Sequence, residues 1–377
     1  MKILIITHHY LNGFGGGSFA SKAFINAFSK IYNDVTLLYP VKNVHETIDL
    51  DEKIKKIPVA YNISKYKKFI NLCIGKTHRY YNIFEDIIKQ SQYNYIIFDN
   101  SCVSYHLIDL AHKYNSKVIT IHHNYEYEYV RDSSAWFIRP IRLFWVKKYE
   151  KQSLFKSDLN LTLTQQDRVL FQEKYALNHE KVEVLGCFEP QKRQYKNSFQ
   201  KMHSNCFIIT GNLSAQQTKK SLIPWLKEYY PLLTKICPGS QLTIAGKNPS
   251  KSIKEMCKQL NINLISSPND MDIILEQANF YICPTCLGGG IKLRIMDGLR
   301  HGLPILTHKV SARGYDMFAN KFLFEYNNTT NFVSSLKKMI SQEYNNNQII
   351  NEYINVFSFE SGVNRLKDIL KKHSFIE

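Results

Sequence analysis

Two glycine-rich segments have the composition of anion-binding loops. Residues 13–18, Gly-Phe-Gly-Gly-Gly-Ser, and residues 288–292, Gly-Gly-Gly-Ile-Lys, each follow an apolar run. Glycine lets the backbone approach a ligand, and free N–H groups at the start of a helix can bind phosphate. We predict a helix at 292–300, in which Lys292 would add a charge in the first turn and Asp297 could bind ribose hydroxyls. Plain turns with solvated charges are the alternative.

The first glycine segment departs from two nucleotide-binding fingerprints. Ser18 stands where Gly-x-Gly-x-x-Gly needs its third glycine, and residues 37–40, after the second predicted strand, hold no acid for a ribose. A P-loop is excluded because no Lys-Ser/Thr pair follows the glycines. Three successive glycines still exceed what a turn needs, so we expect Gly16 and Gly17 to lie close to a ligand.

A polar stretch, His-His-Asn-Tyr-Glu-Tyr-Glu-Tyr at 122–129, follows a predicted strand. Ligands of α/β sheets bind at the carboxyl ends of parallel strands, so this stretch could orient a hydroxylated ligand. A polar loop without function is the alternative. The single Cys-x-x-Cys at 283–286 has no second pair and no histidine at zinc spacing, so we predict free thiols and no metal site.

The pattern of the chain predicts two doubly wound α/β domains, because short β-branched runs alternate with amphipathic stretches. Predicted strands lie at 2–6, 35–38, 95–98, 118–121, 159–163, 182–185, 206–210, 241–245, 280–283 and 304–307. Predicted helices include 19–30, 222–236, 292–300 and 359–372. The polar segment around Pro190 reads as a linker, which gives domains at 1–188 and 206–357, a linker at 189–205 and a terminal helix at 358–377.

The composition is that of a folded protein with an anionic partner. Of the 377 residues, 44% are hydrophobic and 21% are charged, which excludes a disordered or collagen-like chain. The formal net charge of +17 suggests phosphate-bearing substrates, nucleic acid or membrane headgroups. No apolar run approaches the length of a membrane span, and the N-terminal run is too short for a signal peptide.

Two basic segments interleave lysine and arginine with aromatic residues. Residues 53–79 hold eight Lys/Arg and no acid, and residues 139–148 form a second cluster. Such composition suits an anionic membrane surface or a lipid-linked phosphate, and equally single-stranded nucleic acid. A solvated basic face is the alternative. The candidate acceptor or membrane residues are Lys65, Lys67, Lys68, Arg139 and Arg142.

In their order and spacing, these motifs resemble those of retaining glycosyltransferases of the GT-B fold, family 4 (glycosyl transferases group 1). The resemblance covers nearly the whole chain. Its motifs are Gly-Gly-Gly at 15–17, His-Asn-Tyr-Glu at 123–126, Gly-Asn-Leu at 211–213 and the segment from Pro284 to Pro304. It implies two Rossmann-like doubly wound domains that face each other across a cleft, the second of which binds most of a nucleoside-diphosphate sugar.

The resemblance also implies roles for individual residues. His123 would contact the donor sugar, Asp297 the ribose, and Gly16 and Gly17 would lie near donor phosphates and acceptor. The implied diphosphate contacts and neighbouring donor contacts are Gly289, Gly290, Ile291, Lys292, Asn212 and Lys219, with Lys220 as the alternative to Lys219. His123 and Lys292 are the expected catalytic residues, and Lys292 would act on the negative charge that a departing diphosphate develops. Retention of configuration without metal or cofactor is expected.

The chain departs from the family pattern at two positions. Gly289 stands where many members have the first of two acids, and Asp297 replaces the usual second Glu. The leading hypothesis is a cytoplasmic hexosyltransferase, peripheral at the inner face of the membrane, that extends a lipid-linked bacterial surface glycan. Its rivals are a sugar-nucleotide epimerase of the same fold and a catalytically silent subunit that binds glycan or protein. Nucleic acid is not an expected partner, because the sequence shows no recognised module.

Overall fold

The computed structural model describes residues 1–13, 15–42, 48–60, 64–76, 78–176, 179–195 and 205–377. The chain divides into two compact units, one formed by Met1–Arg193 together with Phe357–Glu377 and the other by Gln194–Val356. Residues 196–204 of the expected linker and residues 61–63 and 77 of the first basic segment lie outside the described part of the chain.

The first unit is built on a parallel sheet. The strands described in it are Lys2–Thr7 (β1), Asp34–Val41 (β2), Lys55–Ala60 (β3), Tyr95–Asp99 (β4), Lys117–His122 (β5), Leu159–Thr162 (β6) and Val182–Val184 (β7). Their order is β3-β2-β1-β4-β5-β6-β7, and all neighbours pair in parallel. The order reverses at β1, so the carboxyl ends of β1, β4 and β5 meet at the crevice where such sheets bind ligands.

Helices connect these strands. They are Gly16–Ile31 (α1), Lys65–Cys73 (α2), Phe84–Gln90 (α3), Ser101–Ser104 (α4), Leu107–Lys113 (α5), Glu126–Ser133 (α6), Arg139–Lys156 (α7) and Gln165–Tyr175 (α8), with a 3₁₀ turn at His179–Lys181. The apolar residues of α1 at i, i+3, i+4 spacing are buried, as expected for an amphipathic helix on a sheet; they are Ala20, Ala23, Phe24, Ala27 and Phe28.

The second unit repeats this plan. Its described strands are Cys206–Asn212 (β8), Gln241–Lys247 (β9), Asn263–Ser266 (β10), Phe280–Cys283 (β11), Ile305–His308 (β12) and Leu323–Tyr326 (β13), in the parallel order β10-β9-β8-β11-β12-β13. Its helices are Gln216–Glu228 (α9), Tyr230–Ile236 (α10), Lys251–Gln259 (α11), Asp272–Glu276 (α12), Arg294–Arg300 (α13), Thr329–Ile340 (α14) and Asn346–Phe357 (α15), with a 3₁₀ turn at Asp316–Phe318. The predicted α/β class is confirmed.

The last helix, Phe359–Lys372 (α16), belongs to the first unit and contacts α1. The Nε atom of Arg365 donates a hydrogen bond of 2.5 Å to the carbonyl of Leu185. A Cβ atom at Gly362 would clash with the ring of Phe188, so glycine is needed for this close packing. These contacts hold the C-terminal segment against the first sheet.

Several predicted boundaries are wrong. Helix α1 begins at Gly16 rather than residue 19, so Gly16 and Gly17 lie in its first turn and not in a loop. The predicted helix 222–236 is two helices, and the predicted helix 292–300 begins at Arg294. Strands β3, β10 and β13 are absent from the prediction. All three are sheet edges, and β3 contains Pro58, a residue that edge strands tolerate.

Candidate functional site

The carboxyl ends of β1, β4 and β5 bring together a buried polar cluster in the first unit. Its centre is the carboxylate of Asp99, which has no solvent exposure. Oδ2 accepts hydrogen bonds from the hydroxyl of Thr7 (2.5 Å) and from that of Ser21. Oδ1 faces Nε2 of His123 at 2.5 Å. Three neighbouring groups therefore fix this carboxylate.

Asp99 and His123 form a buried charged pair. Burial alone would raise the pKa of Asp99, but the imidazole of His123 and the hydrogen bonds outweigh it and lower this pKa to about 2. Burial would likewise lower the pKa of His123, but the Asp99 carboxylate raises it above its usual value. Because Nε2 faces Asp99, Nδ1 is the atom of His123 that remains for a ligand. The pair thus favours the protonated imidazole and gives it a defined orientation.

The ring of His9 completes this cluster, and the sequence analysis missed it. His9 follows β1, and its ring lies 4.8 Å from that of His123, measured between centroids. A Cβ atom at Gly17 would overlap the His9 ring, whereas Gly15 has open space around it. The glycine at position 17 therefore admits a protein side chain, which is a different reason from the phosphate approach predicted from the sequence.

The loop between β5 and α6 carries His123 and is fixed by its neighbours. Nε2 of His122 lies 2.9 Å from Oδ1 of Asn160. The buried side chain of Glu126 accepts hydrogen bonds of 3.1 Å from the amides of Asn100 and Asn124. Asn100 has φ +99°, a strained value for a residue with a side chain, and strain of this kind concentrates at functional sites.

In the second unit, the glycine loop after β11 is folded around Lys292. Gly288 and Gly290 have φ of +81° and +67°, which favours glycine at both positions. Nζ of Lys292 donates hydrogen bonds to the carbonyls of Gly288 (3.1 Å) and Gly289 (2.7 Å). The hydroxyl of Tyr315 donates to the carbonyl of Lys292 at 2.9 Å. The loop is therefore held as a compact turn with an ammonium group inside it.

The predicted position of this segment in its helix is wrong. Lys292 precedes α13 instead of lying in its first turn, the N-cap is Leu293, and Asp297 lies in the first turn of the helix. The helix has seven residues. Any anion at this segment would therefore be held by loop and side-chain groups more than by a long helix dipole.

Arg294 is the basic residue that the sequence analysis did not select. Its Nη1 donates to the hydroxyl of Thr285 (3.2 Å), and its Nη2 donates to that of Thr218 (3.4 Å). A Cβ atom at Gly211 would lie 3.0 Å from the guanidinium carbon, so glycine there makes room for this side chain. Within the described residues, Arg294 has no carboxylate partner. A half-buried cation held only by hydroxyls is suited to an anion.

The other predicted donor residues of this unit lie on the same and neighbouring elements. Asp297 forms an ion pair of 3.1 Å with Arg300, and its side chain is 37% exposed. Asn212, at the end of β8, accepts hydrogen bonds from the backbone and hydroxyl of Ser214. Lys219 is half-buried on α9. In the glycine loop, Gly290 is buried and Ile291 is half-buried, like Lys292. Strands β8 and β11 are paired, so Asn212 and the glycine loop follow adjacent strands.

The basic candidates divide into two groups. Lys65, Lys67 and Lys68 are exposed on α2, beside the exposed aromatic side chains of Tyr66 (75%) and Phe69 (51%). On α7, Arg139 is half-buried and Arg142 is exposed, and each donates a hydrogen bond to Ser134. Helix α2 contacts α7, and Gly75 packs against the ring of Trp145. We call the α2–α7 face, with exposed Trp136, Phe137 and Phe144, the basic aromatic face.

No helix among the described residues has the length and hydrophobicity needed to cross a membrane. All eight cysteines are described and none is in a disulfide, and no group of three or more potential ligand side chains that could hold a metal ion occurs in the described ranges.

Part of the second unit matches a known family model. Residues 204–342 match the family model described as Glycosyl transferases group 1. A Klebsiella pneumoniae protein described as an uncharacterized 44.6 kDa protein in the cps region is 24% identical over 243 residues. The match covers 61% of this chain and 59% of that relative, so the chain spans less than two thirds of the relative's length.

Solved structures share the fold over nearly the full length. The apo form of the lipopolysaccharide outer core galactosyltransferase WaaB has 13% identity and a TM-score of 0.68, with 99% of both chains covered. A mutant of S. aureus TarM, in complex with Fondaparinux, alpha-GlcNAc-glycerol and UDP, has 11% identity and a TM-score of 0.67, with 98% of this chain and 99% of that chain covered. The expected GT-B fold is confirmed, and residues 204–342 match the model of the family that the sequence resembles.

Proposed function

We propose that this chain, which carries a glycosyl transferases group 1 domain, is a retaining glycosyltransferase. It moves a hexose-type sugar from a nucleoside-diphosphate sugar to a glycan or lipid-linked acceptor of a bacterial surface polysaccharide. The relative in a cps region and the lipopolysaccharide galactosyltransferase of the same fold support the polysaccharide assignment. The UDP in the TarM complex supports a nucleoside-diphosphate donor.

The observation that carries the proposal is the guanidinium of Arg294. It is held by two threonine hydroxyls, lies against Gly211 and has no carboxylate partner in the described residues. Lys292 lies two residues earlier, and its ammonium group is oriented by two carbonyls. Arg294 and Lys292 would bind the diphosphate, and Asp297, from the first turn of α13, would bind the ribose. Asn212, Lys219 and the backbone at 289–291 complete the proposed donor site.

These cations would also accelerate the transfer. When the sugar–phosphate bond breaks, negative charge grows on the leaving diphosphate. Fixed cations stabilise that charge more in the transition state than in the ground state, and each such group contributes about 3 kcal/mol. No metal or cofactor is needed for this step, because the two side chains supply the positive charge.

In the first unit, His123 is the proposed contact to the donor sugar. Asp99 keeps its imidazole protonated and directs Nδ1 away from the carboxylate. The Asp99 carboxylate itself is engaged by three groups, so it is poorly placed to act as a nucleophile. This favours attack by the acceptor hydroxyl on the face from which the diphosphate leaves. Gly16 and Gly17 begin α1 next to this cluster.

The proposed contact with a membrane that presents the acceptor is based on the basic aromatic face. Lysines and aromatic side chains on one exposed surface suit the headgroup region of an anionic membrane, and Lys65, Lys67 and Lys68 are its exposed cations. Arg139 and Arg142 support it from α7. We propose that the protein works at the inner face of the cytoplasmic membrane, where a lipid-linked acceptor would be presented.

The donor site is tested with Arg294→Ala, Lys292→Ala and the exposed control Lys235→Ala in assays with UDP-, GDP- and dTDP-sugars. We expect each of the first two variants to lose about 10²-fold in kcat/KM, whereas the control is unchanged. Unchanged turnover in both variants would contradict the diphosphate assignment. Product analysis separates the rivals: an epimerase interconverts free nucleotide sugars without acceptor, and a silent subunit binds without turnover.

A further inference from the structure

Glu150 is a buried carboxyl group in the middle of a basic helix. It lies on α7, and its residue has no solvent exposure. Oε1 accepts a hydrogen bond of 2.6 Å from the backbone N–H of Glu126, and Oε2 accepts one of 2.8 Å from the hydroxyl of Tyr175. No cation pairs with it among the described residues. Its contacts are therefore one backbone amide and one phenol.

This arrangement is costly unless the hydrogen bonds are needed. Burial raises the pKa of Glu150 well above its usual value, and the neighbouring carboxyl of Glu126 adds to the effect. An apolar side chain at this position would avoid the desolvation cost but would leave the N–H of Glu126 without an acceptor. The carboxyl group therefore has a specific partner, which is the backbone of the α6 start.

The position of that backbone connects Glu150 to His123. Glu126 is the first residue of α6, and the N-cap, Tyr125, provides no side-chain cap. The N–H of Tyr125 instead donates to Oδ1 of Asp167 at 3.1 Å. Two buried carboxyl groups, from α7 and α8, thus take consecutive N–H groups immediately after the loop that carries His123.

We propose that Glu150 is a positioning residue for His123. By accepting the Glu126 N–H, it fixes the turn after residue 123 so that the imidazole stays against Asp99. The inference rests on the proposed function, in which His123 contacts the donor sugar. The neighbours of Glu150 in the sequence are mostly basic, and no sequence pattern there indicates this role. The role follows from the contact with the N–H of Glu126 in the folded chain.

The surroundings of His123 make its titration a direct probe. The groups that face or interact with its ring are Asp99 from β4, His8 and His9 after β1, Phe24 from α1, His122 from β5 and Glu126 from α6. Glu150 reaches this ring through the N–H of Glu126, and its carboxyl also interacts with the carboxyl of Glu126. A change in the His123 titration that occurs in Glu150→Leu or Glu150→Met but not in Glu150→Gln therefore reports movement of the loop relative to Asp99.

The test compares Glu150→Leu and Glu150→Met, which lack an acceptor, with Glu150→Gln, which keeps one. The control Tyr175→Phe removes only the hydrogen bond to Oε2. The imidazole of His123 is titrated by NMR in the full chain, with His123→Gln used for assignment. We expect the pKa of His123 to fall by about one pH unit in the Leu and Met variants and to stay near the wild-type value in the Gln and Phe variants.

Activity gives a second readout. We expect kcat to fall by about 10²-fold in the Leu and Met variants with a small change in donor KM, since displacement of a reacting group by about 1 Å has this effect. An unchanged His123 titration in both variants would overturn the inference, as would an equal shift in Tyr175→Phe. If the wild type transfers no sugar, the proposed function fails while the titration still decides the role of Glu150. Should the Leu variant not fold, the Met variant decides alone.

Discussion

Replacement of Asp99 by Asn should remove a measurable share of the stability of the first unit. The folded-state pKa of Asp99 is about 2, against an ordinary value of 3.8. A difference of that size corresponds to about 2 kcal/mol of unfolding free energy at neutral pH. Asn keeps the shape of the side chain and can still bond to Thr7 and Ser21, so the loss reports mainly the charge facing His123.

The sign of the pH dependence follows from the two directions of shift. The contribution of Asp99, whose pKa is lowered, is present above about pH 4 and is lost as the pH falls towards 2. The contribution of His123, whose pKa is raised, is fully present below its ordinary value of 6.5 and is lost as the pH rises through the folded-state pKa. The stability difference between wild type and Asp99→Asn should therefore be largest between about pH 4 and 6.5.

Urea unfolding of wild type, Asp99→Asn, His123→Gln and the double variant at several pH values measures this coupling. The matched control is Asp158→Asn, because Asp158 also faces a histidine, His112, at 3.1 Å, but both side chains are about 40% exposed. The control pair should contribute less than about 1 kcal/mol. A coupling energy between Asp99 and His123 below about 0.5 kcal/mol, or one that is constant from pH 5 to 9, would refute the buried charged pair.

Two further predictions concern the glycine segment and the basic aromatic face. Gly17→Ala should displace the His9 ring and lower the free energy of unfolding by about 1–3 kcal/mol. Gly15→Ala should change this free energy little, because Gly15 has open space around it. Thermal unfolding of both variants measures the difference, and equal stabilities would contradict the contact between Gly17 and His9. Replacement of Lys65, Lys67 and Lys68 by Gln should lower the affinity for anionic vesicles by about 10²-fold at low salt, because each lysine contributes about 1 kcal/mol. Co-sedimentation measures this affinity, and binding that does not respond to salt would argue against the membrane proposal.

The central strands of both sheets could be predicted because their sequence alone determines them. A strand buried on both faces has a nearly continuous run of aliphatic residues, as in β1, whose residues from Ile3 to Thr7 are all buried. The edge strands β3, β10 and β13 were not predictable in this way, since one side of an edge strand meets solvent or irregular chain. Their identity depends on the neighbour with which they pair, and that information is not local.

The residues of the candidate site also differ in whether local sequence could identify them. Lys292 and Asp297 could be selected because they lie within a few residues of a glycine run, and His123 because it follows a predicted strand. His9 and Arg294 could not be selected, since their significance comes from contacts with Gly17 and with Gly211, which lies 83 residues before Arg294 in the chain. Glu150 is similarly defined by its contact with the backbone of Glu126.

These contacts change the physical interpretation of the glycine motifs. A glycine near the end of a strand or in the first turn of a helix is usually explained by the approach of a phosphate to the backbone. Here Gly17 makes room for the imidazole of His9, and Gly211 makes room for the guanidinium of Arg294. In both units the glycine admits a nitrogen-bearing side chain to the carboxyl end of the sheet, and that side chain is the group suited to meet an anion or a hydroxyl. A glycine in such a motif can therefore be required by the protein side chain that it accommodates, and its substitution should then resemble loss of that side chain. Gly211→Ala should reproduce part of the loss in kcat/KM that Arg294→Ala causes. Full activity of Gly211→Ala would contradict this explanation.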